Sequence, residues 1–209
     1  ATTLGLRSVH GIIVIDFPSA YASDAGDYLR KGLELRDRMR DEPLVGFCLA
    51  PHAPYTVTDD VLRRIATLSR ELGLPIHTHV HETLEEVETS VARHGMRPLE
   101  RLADLGVVGP ELIAVHAVHM TDGDLRLLAE AGASVAHCPH SNLKLASGIA
   151  PTARMHELGI GVGIGTDGSA SNNRLDLLGE ARTAALLAKG QSGSAEAWPA
   201  ARTLRAMTL

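Results

Sequence analysis

The chain has 209 residues, 44% of them hydrophobic and 22% charged, the balance of an ordinary globular domain with enough apolar content for one core. A formal net charge of -5 gives no basic field for a phosphate backbone, so nucleic acid is not an expected partner. No apolar run approaches the roughly 20 residues that span a bilayer, and Cys48 and Cys138, each inside an apolar run, fit reduced buried thiols; the expectation is a cytoplasmic protein with no membrane partner.

Taken in chain order, short apolar runs alternate with amphipathic stretches, and the connections are too long for hairpins and the right length for helices. Strands are predicted over residues 7–16, 45–50, 75–80, 112–116, 133–138 and 161–166. Most are apolar throughout, as strands buried on both faces should be. Helices are predicted over residues 25–39, from an N-cap at Thr58 to a stop at Gly73, over 84–93 and 98–105, from Thr121 (with Asp124 three residues on) to Gly132, and over 151–158 and 174–189. This βα rhythm predicts an α/β fold with a parallel sheet, and a (β/α)8 TIM barrel of which about six of eight units are present, as one partial barrel domain over 1–209. The two further strands are expected upstream of Ala1. An open doubly wound sheet is the structural alternative.

Eleven histidines are many for this length, and they fall in a pattern. His52 follows the second predicted strand, His79 and His81 end the third with Glu82 next, His116 ends the fourth, His137 the fifth, and Asp167 follows the sixth. In a barrel the carboxyl ends of the strands surround the active site, so reactive residues in five successive strand ends point to chemistry, whereas a lone one would more often be structural. Side-chain alternation predicts that His77, His79 and His81 share one face of their strand. A hydrolytic metal site needs several N or O ligands, an open position for water and an acid/base group beside it. His79 and Asp167 are the candidate ligands, Glu82 the proton shuttle, and His116 a hydrogen-bond donor to the reacting centre. Imidazole and carboxylate suit Zn2+, with Fe2+ as second choice, although two protein ligands rarely hold a catalytic ion.

The strings APHAPYTV at 50–57, HVHET at 79–83, HCPHSNLKLASG at 137–148 and GTDGSASNN at 165–173 resemble the amidohydrolase superfamily, in its aminohydrolase branch. VIDFPSAYASDAGDYLRKG at 14–32 is similar to the 5'-methylthioadenosine/S-adenosylhomocysteine deaminases of that branch. The resemblance implies hydrolytic deamination of a small adenine nucleoside, with His79 and Asp167 as metal ligands, Glu82 protonating N1, and His116 orienting the attacking hydroxide. It also implies that Asp167 takes the proton of the water as C6 is attacked. His52 would contact the purine and Arg7 the ribose or amino-acid tail; Asn142, Ser171 and Asn172 would shape loops and supporting hydrogen bonds. Assembly into a homo-oligomer is left open. The superfamily's HxH at the end of its first strand is not in this sequence; His77 and His79 spell one on a later strand. The alternatives are a guanine deaminase, a triazine-type aminohydrolase or chlorohydrolase, and a catalytically incomplete fragment that keeps a nucleoside-contacting surface.

Overall fold

A computed structural model describes residues 2–208. Six strands form one sheet: β1 (Ser8–Val14), β2 (Val45–Pro51), β3 (Ile76–Val80), β4 (Leu112–His116), β5 (Ser134–His137) and β6 (Gly161–Ile164). Every neighbouring pair is parallel and the spatial order is the chain order. A doubly wound sheet reverses its strand order at a switch point; an unbroken sequential order is that of barrel staves, and it excludes the doubly wound alternative.

The helices α1 (Ala25–Arg38), α2 (Asp59–Leu72), α3 (Leu84–His94), α4 (Pro98–Asp104), α5 (Asp122–Ala131), α6 (Pro139–Lys144), α7 (Thr152–Glu157), α8 (Leu177–Ser192) and α9 (Ala200–Thr208) fill the connections and follow β6. Their boundaries follow local chemistry. Helices α2, α3, α5 and α8 stop at glycines in the left-handed conformation, Gly73, Gly95, Gly132 and Gly193. Thr121 and Asp124 form the capping box that the sequence predicts at the start of α5. Thr58 caps α2 in position only; its side chain makes no capping bond. Helix α6 lies in the HCPHSNLK segment, where the sequence predicts no helix because one and a half turns are too short to show a 3.6-residue period.

The main core lies between the helices and one face of the sheet. Leu49, Ile76, Leu112, Ala114 and Val135 meet Leu62, Ile65, Leu99, Leu102, Leu125 and Leu128 there, all at most 2% exposed. Helix α1 lies so close to β1 that a Cβ on Gly32 would come within 2.2 Å of Ile12 Cγ2, so only glycine fits. A smaller cluster, Ala184, Ala188 and Trp198 with Val162 and Ile164, seats α8 against β6. On β3, Ile76, Thr78 and Val80 point into the core, and His77 and His79 are half-buried on the opposite face.

Candidate active site

Parallel register sets the strand ends level: Val80 pairs with His116 across β3 and β4, and His137 with Ile164 across β5 and β6. Beyond this rim the backbone turns sharply. His81, His116, Ala117 and Asp167 all have positive φ (54°, 70°, 47° and 59°), a conformation that costs a non-glycine residue about 1–2 kcal/mol. These are four of the seven non-glycine residues with positive φ among the described residues.

The strained backbone redirects two side chains. Alternation would put His81 on the face of His79, yet His81 is fully buried on the helix side, where its Nε2 accepts the Leu99 N–H (3.1 Å) and its Nδ1 lies 3.4 Å from Arg97 Nη2 and 3.8 Å from Asp124 Oδ2. The predicted common face of His77, His79 and His81 therefore holds for the first two only. His116 moves the other way. Its register partner is Val80, a core residue, but its ring stacks on His79 with centroids 5.3 Å apart and planes 19° apart.

Four of the proposed residues meet here. His79 lies between His116 and His52, whose ring centroid is 5.0 Å away, and Tyr55 stands edge-on to His52 at 6.2 Å. Glu82 Oε2 is 3.6 Å from His116 Nε2. The ring tautomers follow from the second nitrogen of each histidine. His79 Nδ1 donates to the His52 carbonyl (2.5 Å) and His116 Nδ1 to Asn142 Oδ1 (2.8 Å), which leaves each Nε2 with its lone pair. Burial holds His116 below the usual imidazole range, opposed by the Glu82 carboxylate, and burial also lowers His52 and His77. Neutral rings are the form that binds metal.

Asp167, three residues past β6, is held by the Ser141 and Ser171 hydroxyls on Oδ2 (2.6 Å each) and by the Gly168 N–H on Oδ1 (2.7 Å). Its burial works to raise the pKa, but these donors outweigh it and hold the carboxyl below the usual range. Asp167 and His116 are near enough for each to shift the other's protonation. Among the described residues no three His, Cys, Asp or Glu side chains come close enough to hold an ion by themselves. The donors fit zinc or iron(II) in kind, through free imidazole Nε2 atoms and an ionised carboxylate, and supply part of a ligand set.

Arg7 is not brought to this group. It immediately precedes β1 and is exposed, at the opposite end of the sheet from the strand ends that carry the other residues. A seven-residue strand spans about 23 Å, so the structure separates Arg7 from the site by a full strand length.

Two buried carboxylates were not singled out from the sequence. Glu86 on α3 accepts the N–H groups of His81 (3.0 Å) and Glu82 (2.8 Å), fixing the turn that presents Glu82, and burial pushes its carboxyl up to about 7. Glu180 on α8 is fully buried beneath the Asp167 loop. Both sit on the buried stripe of their helices, beside Val87 and Ser90 in one case and Ala181 and Ala184 in the other. An acidic residue on an apolar stripe was the available signal. His137 is buried, pushed down to about 4 by that burial, and its Nδ1 has no partner among the described residues. Burial also pushes the Cys138 thiol up to about 12, leaving it protonated and unreactive.

The sequence profile of the Amidohydrolase family matches residues 2–209. The chain belongs to the amidohydrolase family. A 5-methylthioadenosine/S-adenosylhomocysteine deaminase of Teredinibacter turnerae is 48% identical over 193 residues, 92% of this chain and 44% of that protein. The crystal structure of an adenosine deaminase from Xanthomonas campestris with bound zinc superposes with a TM-score of 0.96 at 49% identity, over 99% of this chain and 47% of that one. Atrazine chlorohydrolase TrzN from Arthrobacter aurescens, complexed with zinc, gives 0.89 at 26% identity, over 100% of this chain and 49% of that one. This amidohydrolase chain thus spans a little under half the length of the relatives it matches. Among the described residues no helix is long and apolar enough to cross a membrane.

Proposed function

We propose that this chain carries the catalytic strand ends of a zinc-dependent amidohydrolase that deaminates 5'-methylthioadenosine or S-adenosylhomocysteine to the inosine analogue and ammonia. The observation that carries the reading is the meeting of Glu82, His116 and His79 at one strand-end rim, in a chain 48% identical to a protein named for that reaction. His79 and Asp167 would hold the metal together with donors from outside the described residues. Zinc, when bound, supplies Lewis acidity that makes water a nucleophile at neutral pH.

The chain's own residues have distinct tasks in this reading. Asp167, kept ionised by two serine hydroxyls and a backbone N–H, accepts the proton of the water that adds to C6. Glu82 delivers a proton to N1, so that the ring takes up the electron pair as the new C–O bond forms. Asp167 passes the proton it took from the water to the amino group, the bond from C6 to that nitrogen breaks and ammonia leaves, and the proton of the new C6 hydroxyl returns to Glu82 as the carbonyl forms. His116, neutral and fixed through Asn142, orients the water, and His52 with Tyr55 forms the wall against which the purine lies. Sequence likeness favours the nucleoside over triazines, since the named nucleoside deaminase stands at 48% identity and the triazine enzyme at 26%.

The test is ammonia release by the purified, zinc-loaded full-length protein, offered 5'-methylthioadenosine, S-adenosylhomocysteine, guanine and a chlorinated triazine in parallel. Turnover of the first two is the expected result. Activity confined to guanine or the triazine would overturn the substrate assignment.

A further inference from the structure

Glu180 is a carboxylate with no route to solvent, and burying such a charge is costly unless its oxygens are fully hydrogen-bonded. It is met by donors from two separate segments. His140 on α6 gives its backbone N–H to Oε2 (3.0 Å) and its ring Nδ1 to Oε1 (2.7 Å). Asn172, from the loop after β6, gives its amide Nδ2 to the same Oε1 and to the carbonyl of Thr166 (2.8 Å), the residue before Asp167. The amide oxygen of Asn172 closes the loop by accepting the N–H groups of Arg174 and Leu175 (3.1 Å each).

These two segments bear the groups that orient the site. Helix α6 carries Ser141, which donates to Asp167, and Asn142, which accepts from His116. The loop carries Ser171, which also donates to Asp167. We infer that Glu180 is a positioning residue for deamination: by binding His140 and Asn172 at once, it sets α6 and the Asp167 loop in register, and so fixes Asp167 and His116 relative to each other. Glu180 acts only through these neighbours, because its bonds go to His140 and Asn172 rather than to any group that meets substrate. His140 is tied into the same helix, with its Nε2 2.7 Å from Thr183 Oγ1, one turn along α8 from Glu180.

The inference rests on the proposed roles of Asp167 and His116, and kinetics of Glu180→Gln beside Glu82→Gln in the zinc-loaded full-length protein separate the two. Glutamine keeps the shape of Glu180 but loses an acceptor and the charge. A misplacement of the reacting groups by a fraction of an ångström should lower kcat about 10- to 100-fold. KM should stay within about threefold, because substrate contacts are untouched. A folded Glu180→Gln protein with wild-type kcat, or one altered only in KM, overturns the inference. Should Glu180→Gln fail to fold, His140→Leu removes the ring's bonds to Glu180 and Thr183 at a side chain 35% exposed and keeps the backbone N–H donor to Glu180. There a kcat lowered about 10-fold at constant KM supports the positioning role, and an unchanged kcat ends it. Wild-type turnover by Glu82→Gln would instead sink the assignment of the site.

Discussion

Replacing Glu82 by Gln alters one proton-carrying group and almost nothing else. The side chain is 17% exposed and lies 3.6 Å from His116 Nε2. Its backbone is held independently, by the N–H bond to Glu86 Oε2. Glutamine fills the same volume, so the unfolding free energy should change by no more than about 0.5 kcal/mol. Catalysis should not be spared. A positioned general acid contributes about 10²- to 10⁴-fold, which is about 3–5 kcal/mol of barrier at 1.36 kcal/mol per decade. A second consequence is electrostatic. Glu82 is the main group opposing the burial of His116, so its loss should carry the His116 pKa further down and leave that ring neutral over a wider pH range. Turnover is read from ammonia release with 5'-methylthioadenosine, folding from thermal melts, and His116 from its ring-proton NMR titration. A kcat within about threefold of wild type, in a protein with unchanged melting, would refute the role of Glu82 as proton donor.

Two further outcomes test the electrostatics of the fold. His137 titrates at about 4 in the folded chain against an ordinary 6.5, so the fold favours its neutral form; that contribution is whole above pH 6.5 and is lost as pH falls towards 4, amounting to about 3 kcal/mol. Urea-denaturation curves of wild type and His137→Gln should converge in that window, and a difference that does not vary with pH would show that the ring is not held neutral. The subtraction matters because Glu86 runs in the opposite sense: its raised carboxyl stabilises the fold at low pH and loses that contribution as pH rises through about 7. The second outcome concerns Asp124, which is 2% exposed and accepts Arg97 Nη2 at 2.8 Å and Nε at 3.0 Å. Arg97→Met leaves that carboxylate without its charge partner and should cost about 3 kcal/mol, measured by urea unfolding; a loss below about 1 kcal/mol would mean that the Thr121 donors suffice alone.

Much of the architecture was legible because it is local. Six apolar runs became six strands within two residues of their predicted ends, and glycine stops appeared where the chain must turn left-handed. Helix α8 is shifted by three residues from its predicted span, since Asn172 binds the Arg174 and Leu175 N–H groups and Asp176 becomes the cap. That displacement is a tertiary effect, with a loop tied to a buried carboxylate deciding where the helix begins.

By itself the sequence determined that imidazoles and carboxylates stand at successive strand ends, because a parallel βα repeat brings every strand's carboxyl end to one rim. Which of them face one another was settled only in three dimensions. His81 and His116 both break the two-residue alternation of their strands: each takes a left-handed backbone, which sends His81 into the helices and turns His116 onto His79. Alternation is a rule for extended backbone, and it lapses at the residue where extension ends. Arg7 fell outside the site for the complementary reason, since a residue's place along a strand fixes the end of the sheet it occupies. Glu180 matters through its neighbours alone, and those neighbours meet only once the chain has folded.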